Sequence, residues 1–215
     1  MLNIPQSVRI CAVTKGHSIK ETEAMLKKHP EIRIIAENRW PDCEEKFKHF
    51  SQIEKHFIGP LQSNKVRKVL PFIDVIQSVD SIKLMDKLNV VATELNKTIC
   101  FCIQVNISDD TTKQGISSKQ INELVQHYLD KKYPHLKLMG LMTIGAQNES
   151  SQRAEYFKKL KQLFDQINKK YFAASPLPIL SMGMSDDYET AIQEGATMVR
   201  IGRVLYEIIT TRRAL

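Results

Sequence analysis

Short apolar runs of strand length recur along this chain. Between them lie stretches whose apolar residues return at helical spacing. The first run, 8–13, is apolar or β-branched apart from Arg9 and stops at Lys15-Gly16, which predicts a buried strand ending in a loop. A helical stretch follows over 18–29, with Ile19, Ala24, Met25 and Leu26 set among charges. Residues 32–36 read as a second strand ending at Glu37-Asn38-Arg39, and Pro41 opens a helix to about residue 50. The third strand is 56–59, with a turn at 60–65 into a short helix that ends near Leu70-Pro71. The fourth is 72–77; Ser78 to Ser81 then supply caps for a helix over 82–95. The most β-rich segment, 98–105, is the fifth.

The polar loop 106–115 is long for a turn, and Ser117 to Gln120 read as a capping box for a helix through Leu129. Residues 136–142 form the sixth strand. The helix over 152–172 carries a stripe of Ala154, Phe157, Leu160, Leu163, Phe164 and Ile167. Strand seven is 179–182, followed by a helix over 186–195 with Gly195 at its C-cap. Strand eight is 197–202, and a last helix covers about 204–211. Eight strands alternating with helices predict an α/β fold, a single (β/α)8 TIM barrel, with 1–215 as one domain.

Composition agrees. A chain of 215 residues with 42% hydrophobic content, 8 Gly and 8 Pro can bury a large core and shows no linker. No apolar run nears the roughly 20 residues of a spanning helix. The start, Met-Leu-Asn-Ile-Pro-Gln-Ser, lacks the basic and apolar parts of a signal peptide, so a cytoplasmic protein without membrane contact is expected. Cys11, Cys43, Cys100 and Cys102 have no zinc spacing, and they are expected to be buried or half-buried thiols. The net charge of +7 is spread along helix faces, as in Lys158-Lys159-Leu160-Lys161, with no RNA-binding signature. That predicts a solvated basic surface, not a nucleic-acid site, with some attraction for anionic ligands.

In a barrel, chemistry sits past the carboxyl ends of the strands. The residues there are Lys15, Asn38, Gly59 to Gln62, Ser78, 106–113, Thr143, Ser185 and Gly202-Arg203. On position alone, Lys15 is a surface charge, a phosphate ligand or an imine-forming amine. The turns Met182-Gly183-Met184-Ser185-Asp186-Asp187 and Ile201-Gly202-Arg203 each lead into a helix start, a place that suits a phosphate. A strand-one lysine with two phosphate-binding turns describes the site of an aldehyde with a phosphate handle: pyridoxal 5′-phosphate. Arg200, which cannot give up its proton, is the candidate partner of the ring nitrogen and would keep that nitrogen unprotonated.

Seven stretches carry a resemblance: Ala12 to Lys15, Glu37-Asn38, His56 to Lys65, Gln77 to Asp80, Gly140 to Met142, Ser181 to Asp187 and Val199 to Gly202. Through them the chain resembles the pyridoxal-phosphate homeostasis proteins, whose fold is that of the N-terminal barrel of alanine racemase. The resemblance implies that Lys15 holds the cofactor as an imine and that Arg200 faces the pyridine nitrogen. It implies that Ser185, with the backbone of Gly202 and Arg203, takes the phosphate. Asn38 would lie beside the ring and Lys113 near its oxygen. Three features depart from the family pattern: only seven residues precede strand one, Ala36-Glu37-Asn38-Arg39 replaces Gly-Glu-Asn-Tyr, and Arg203 to Glu207 replace small residues and Phe-Gly.

The function expected is that of a monomeric, non-enzymatic carrier or regulator of vitamin B6 and amino-acid pools, with apo-enzymes as recipients of its cofactor. The rival is a small amino-acid racemase using the same imine. Racemisation needs a proton carrier on each face of the substrate. In racemases of this fold the second is a tyrosine from a domain after the barrel, and here the chain ends at Leu215. Tyr128, Tyr133, Tyr156, Tyr171, Tyr188 and Tyr206 all fall in or beside helices, so none is expected at a strand end.

Overall fold

The computed structural model describes residues 4–41, 43–108, 113–144 and 152–210. Its strands are β1 (Arg9–Val13), β2 (Ile34–Glu37), β3 (Glu54–Phe57), β4 (Val75–Val79), β5 (Ile99–Asn106), β6 (Ile116–Ser117), β7 (Leu136–Met142), β8 (Ile179–Ser181) and β9 (Met198–Ile201). The helices between them are α1 (Ile19–Lys28), α2 (Glu44–His49), α3 (Val66–Val69), α4 (Ile82–Glu94), α5 (Ile121–Lys131), α6 (Arg153–Tyr171), α7 (Tyr188–Gln193) and α8 (Arg203–Thr210). The sheet order is β4-β3-β2-β1-β9-β8-β7-β5, and β4 pairs with β5 to close the ring. All eight of these strands run parallel, so this is the expected (β/α)8 barrel.

Alternation along each strand sorts the side chains into two layers. Ala12, Ile35, Phe57, Ile76, Leu141 and Val199 point outward into the core beneath the helices. Cys11, Ile34, Ala36, Cys102, Met142, Ile179 and Met198 fill the barrel interior. In the helix layer, Phe157, Leu160, Phe164 and Ile167 of the stripe on α6 are buried, whereas Leu163 is half-buried and Ala154 exposed. Each such side chain contributes about 1.5–3 kcal/mol by leaving water. The four thiols are unbonded to one another, three buried and Cys100 half-buried.

Several boundaries move. β3 starts at Glu54, because Glu54 and Lys55 pair in register with Ile34 and Ile35 despite their polarity. Phe72 closes a 3-10 turn, Leu70–Phe72, and β4 begins only at Val75. The helix after Pro41 starts at Glu44, and α7 starts at Tyr188. α5 lacks the expected capping box: Ser117 Oγ accepts the Lys119 N–H at 3.2 Å in a preceding turn, and Gln120 occupies the cap without a side-chain bond. The short strand β6 was not expected. It pairs Ile116 with Val105 as the loop after β5 folds back, and residues 109–112 of that loop lie outside the described residues. Among the described residues, no helix is long and apolar enough to cross a membrane.

Candidate functional site at the barrel mouth

The carboxyl end of β1 is anchored from outside the barrel. Buried Thr14 donates from Oγ1 to Glu37 Oε1 at 2.7 Å. Lys46 of α2 donates from Nζ to the Thr14 carbonyl at 2.7 Å and forms a short, buried ion pair with Glu37. The chain then turns at Gly16, whose φ of +77° is one that glycine adopts freely. Ser18 and Glu21 close a capping box that starts α1. Lys15 therefore projects from a strand end held on both sides, and it is itself exposed.

Lys15 stands between two hollows. The larger, about 970 Å³, is shared with His17, Asn38 and Arg39. The smaller, about 320 Å³, is shared with Val13, His17, Gly202, Arg203 and Tyr206. A third, about 540 Å³, continues from Asn38 and Arg39 to Trp40, Lys65 and Gln114. The fold thus brings Lys15 together with Asn38 on one side and with Gly202 and Arg203 on the other. Lys113, Ser185 and Arg200 do not line these hollows, and the Lys113 carbonyl accepts from Asn106 Nδ2 at 3.3 Å.

The loops after β8 and β9 meet behind Lys15. Gly183 has a φ of +90°, and its carbonyl accepts the Arg200 N–H at 2.9 Å, which ties the β8 loop to β9. Asp187 Oδ1 accepts the Met184 N–H at 2.6 Å and shapes the turn that presents Ser185. Ser185 Oγ lies 3.4 Å from the Gly202 nitrogen, at the start of α8. A Cβ on Gly202 would stand 3.2 Å from the Val13 carbonyl oxygen, so the missing side chain lets β9 close on β1. The Gly202 N–H faces Ser185 Oγ just ahead of α8, and the N–H groups of Arg203 and Val204 follow in the first turn, where a helix offers no partner. This cradle of N–H and O–H donors fits a phosphate, with the helix dipole adding to it.

The Arg203 guanidinium does not join the cradle. It forms a short ion pair with Asp186 and another with Glu207 at 3.5 Å, so only its backbone is offered to an anion. Arg200 is buried at 3% exposure; it donates to Ser181 Oγ at 2.8 Å and to the Thr143 carbonyl at 2.7 Å. Burial pulls its pKa down, and the attraction of the Asp187 carboxylate opposes that. As a donor-only group it suits a ring nitrogen that keeps its lone pair.

Two groups at the mouth were not foreseen. The His17 and Tyr206 rings stack with centroids 3.4 Å apart and planes 4° from parallel. The sequence puts Tyr206 just after a helix start and not at a strand end, yet it shares the small hollow with Lys15. Its hydroxyl lies 3.3 Å from Thr22 Oγ1 on α1, and burial pushes its pKa up to about 12. The available signal was the spacing of Val204, Leu205 and Tyr206 on the final helix, which does not say which strand end that helix overlies. The Glu37–Lys46 pair was also missed; a glutamate at the end of an apolar strand was its trace.

Known proteins are similar to this chain over most of its length. A pyridoxal phosphate homeostasis protein of Synechocystis sp. is 39% identical over 208 residues, which cover 94% of this chain and 92% of that protein. One of Haemophilus influenzae is 36% identical over 206 residues, covering 93% of this chain and 84% of that protein. The solved structure of PipY from Synechococcus elongatus, with PLP bound, is 28% identical, with a TM-score of 0.81 over 95% of this chain and 94% of that one. An alanine racemase of Clostridium difficile shares the fold alone, at 20% identity and a TM-score of 0.74 over 94% of this chain and 53% of that one. Residues 3–209 match the family described as alanine racemase, N-terminal domain, and the chain belongs to that family.

Proposed function

We propose that this chain binds pyridoxal 5′-phosphate and works as a carrier or regulator of vitamin B6 and amino-acid pools. The observation that carries the reading is the small hollow in which Lys15 faces Gly202 and Arg203, with Ser185 Oγ on the Gly202 N–H and Arg200 buried nearby. When bound, the cofactor supplies an aldehyde that reacts with amines. Lys15 offers the amine, and its short tether to a doubly anchored strand end keeps that amine at the mouth. Ser185 and the N–H groups of Gly202 and Arg203 hold the phosphate, and Arg200 donates to the ring nitrogen. Asn38, shared between two hollows, lies beside the ring.

The names of the relatives and the PLP-bound PipY structure support the same reading. We propose the cytoplasm as its compartment and apo-enzymes as recipients of the cofactor. The proposed role is not catalytic. Tyr206, the tyrosine that shares a hollow with Lys15, is stacked on His17, and its hydroxyl faces Thr22 with a raised pKa, which keeps it protonated and leaves no base there. Borohydride treatment of the loaded protein, followed by peptide mapping, is the test. The adduct is expected on Lys15 and should vanish in Lys15→Ala with the fold intact. An adduct on another lysine would sink the assignment. In heavy water, Lys15-dependent α-proton exchange of amino acids near 1 s⁻¹, the low end of enzyme turnover, would make the protein an enzyme instead.

A further inference from the structure

Below Arg200, a line of polar side chains crosses the barrel interior, and the cofactor-binding set does not use it. Arg200 donates to Ser181 Oγ at 2.8 Å. Ser181 Oγ donates to Gln77 Oε1 at 2.6 Å. Gln77 Nε2 meets His56 Nδ1 at 2.7 Å, and His56 Nε2 meets Glu54 Oε1 at 2.6 Å. Arg9 donates to Glu54 Oε2 at 2.6 Å, at the floor of the barrel. Ser181, Gln77 and His56 are each 0% exposed, whereas the Arg9 and Glu54 side chains reach water at 43% and 34%. The line thus joins the solvent at the floor to the guanidinium under the mouth, through strands β1, β3, β4, β8 and β9.

Its two ends set the direction of every bond between them. Arg200 can only donate, and the ionised Glu54 carboxylate can only accept. Ser181 therefore accepts from Arg200 and passes its own proton to the Gln77 carbonyl oxygen. Gln77 gives an amide hydrogen to His56 Nδ1, which leaves the imidazole hydrogen on Nε2 for Glu54. The Gln77 nitrogen also lies 3.3 Å from Met198 Sδ and 3.7 Å from Cys11 Sγ, soft acceptors that suit an amide nitrogen on that side. If Gln77 turned over, its amide hydrogens would face Ser181 and compete with Arg200 for the same oxygen. Satisfied networks of this kind inside a low-dielectric core hold their members in one geometry.

We infer that His56, Gln77 and Ser181 are positioning residues that hold the Arg200 guanidinium in the orientation it needs toward the ring nitrogen of a bound pyridine. This rests on the proposed placement of the cofactor. It assigns a role to the His56 of the third strand and explains why three strands carry polar residues on their inward faces.

The test compares two ligands: pyridoxal 5′-phosphate, and its carbocyclic analogue in which a carbon replaces the ring nitrogen. His56→Phe should weaken binding of the pyridine ligand about tenfold, the effect of one hydrogen bond, and leave the analogue nearly unaffected. His56→Gln, which again offers an acceptor and a donor, should restore the pyridine affinity. Ser181→Ala is the smaller change, and it should give the same split if His56→Phe fails to fold. Equal losses for both ligands, or no loss for either, would overturn the inference. Wild-type protein that does not distinguish the two ligands would instead refute the placement of Arg200 at the ring nitrogen, and with it this role for His56.

Discussion

Lys46 and Glu37 form a pair that water scarcely reaches, with side chains 8% and 3% exposed. A charge left alone in such a place is costly, and breaking a buried pair from one side loses about 3–5 kcal/mol. Lys46→Met should therefore destabilise the protein by about that amount in urea, and Lys46→Met with Glu37→Leu should recover much of the loss. A double variant no more stable than Lys46→Met would show that the carboxylate is not the source. Ser185 raises a different expectation, because its hydroxyl lies at a proposed ligand contact beside the Gly202 nitrogen. Losing one hydrogen bond to a charged group amounts to about 1.5–3 kcal/mol, or roughly ten- to a hundredfold in affinity. Ser185→Ala should thus weaken pyridoxal phosphate by that factor while leaving unphosphorylated pyridoxal nearly unchanged. Parallel losses for the two would move the phosphate elsewhere.

At the scale of elements, the mouth depends on how closely three strand ends approach one another. A Cβ built on Gly59 would fall 2.0 Å from the Asn38 carbonyl oxygen, and Ser78 Oγ donates to the Gly59 carbonyl at 2.6 Å. Gly59→Ala must therefore push the end of β2 away. Overpacking of this kind costs about 1–3 kcal/mol, and because Asn38 lines the mouth, cofactor affinity should fall with stability. Denaturant unfolding and ligand titration on the same variant check both; an unchanged midpoint would mean that the loop absorbs the methyl group. Most elements were legible because most barrel strands, though not β3, are apolar runs bounded by turn residues. The strand boundaries that moved share one cause. Hydropathy reports burial, whereas strand membership depends on a backbone partner. Polar Glu54 has such a partner in Ile34, and Phe72 sits in a turn, not in the ladder.

The whole molecule should respond to acid through its interior line. Burial holds the His56 imidazole below its ordinary value of 6.5, against the opposing pull of Glu54. Burial also pushes the Glu54 carboxyl up, but its bonds and attraction to His56 and Arg9 outweigh that and leave it below 4.5. For His56, the unfolded chain binds the proton first as pH drops under 6.5, so stability falls with acidification until the folded imidazole titrates. The Glu54 contribution is present above 4.5 and is lost as pH falls through its lower folded value. Urea midpoints should thus decline from pH 7 to pH 5.5, with a shallower decline in His56→Gln. Equal slopes for variant and wild type would remove His56 from the acid response.

The amino-acid order alone determined the barrel and which residues follow the carboxyl ends of its strands, among them the lysine, serine and glycine of the proposed site. Those features follow from local periodicity and from the rule that chemistry collects past the carboxyl ends of parallel strands. Tertiary structure decided which groups meet. Ser181 reaches Gln77 across 104 residues of chain, and Tyr206 reaches Thr22 across 184. The Arg203 side chain turns to Asp186 and Glu207, leaving only its backbone at the cradle. A period of two shows that His56, Gln77, Ser181 and Arg200 have inward-facing positions. It does not show which strands stand opposite one another once the sheet has closed, and that closure is what joins these four residues into one line.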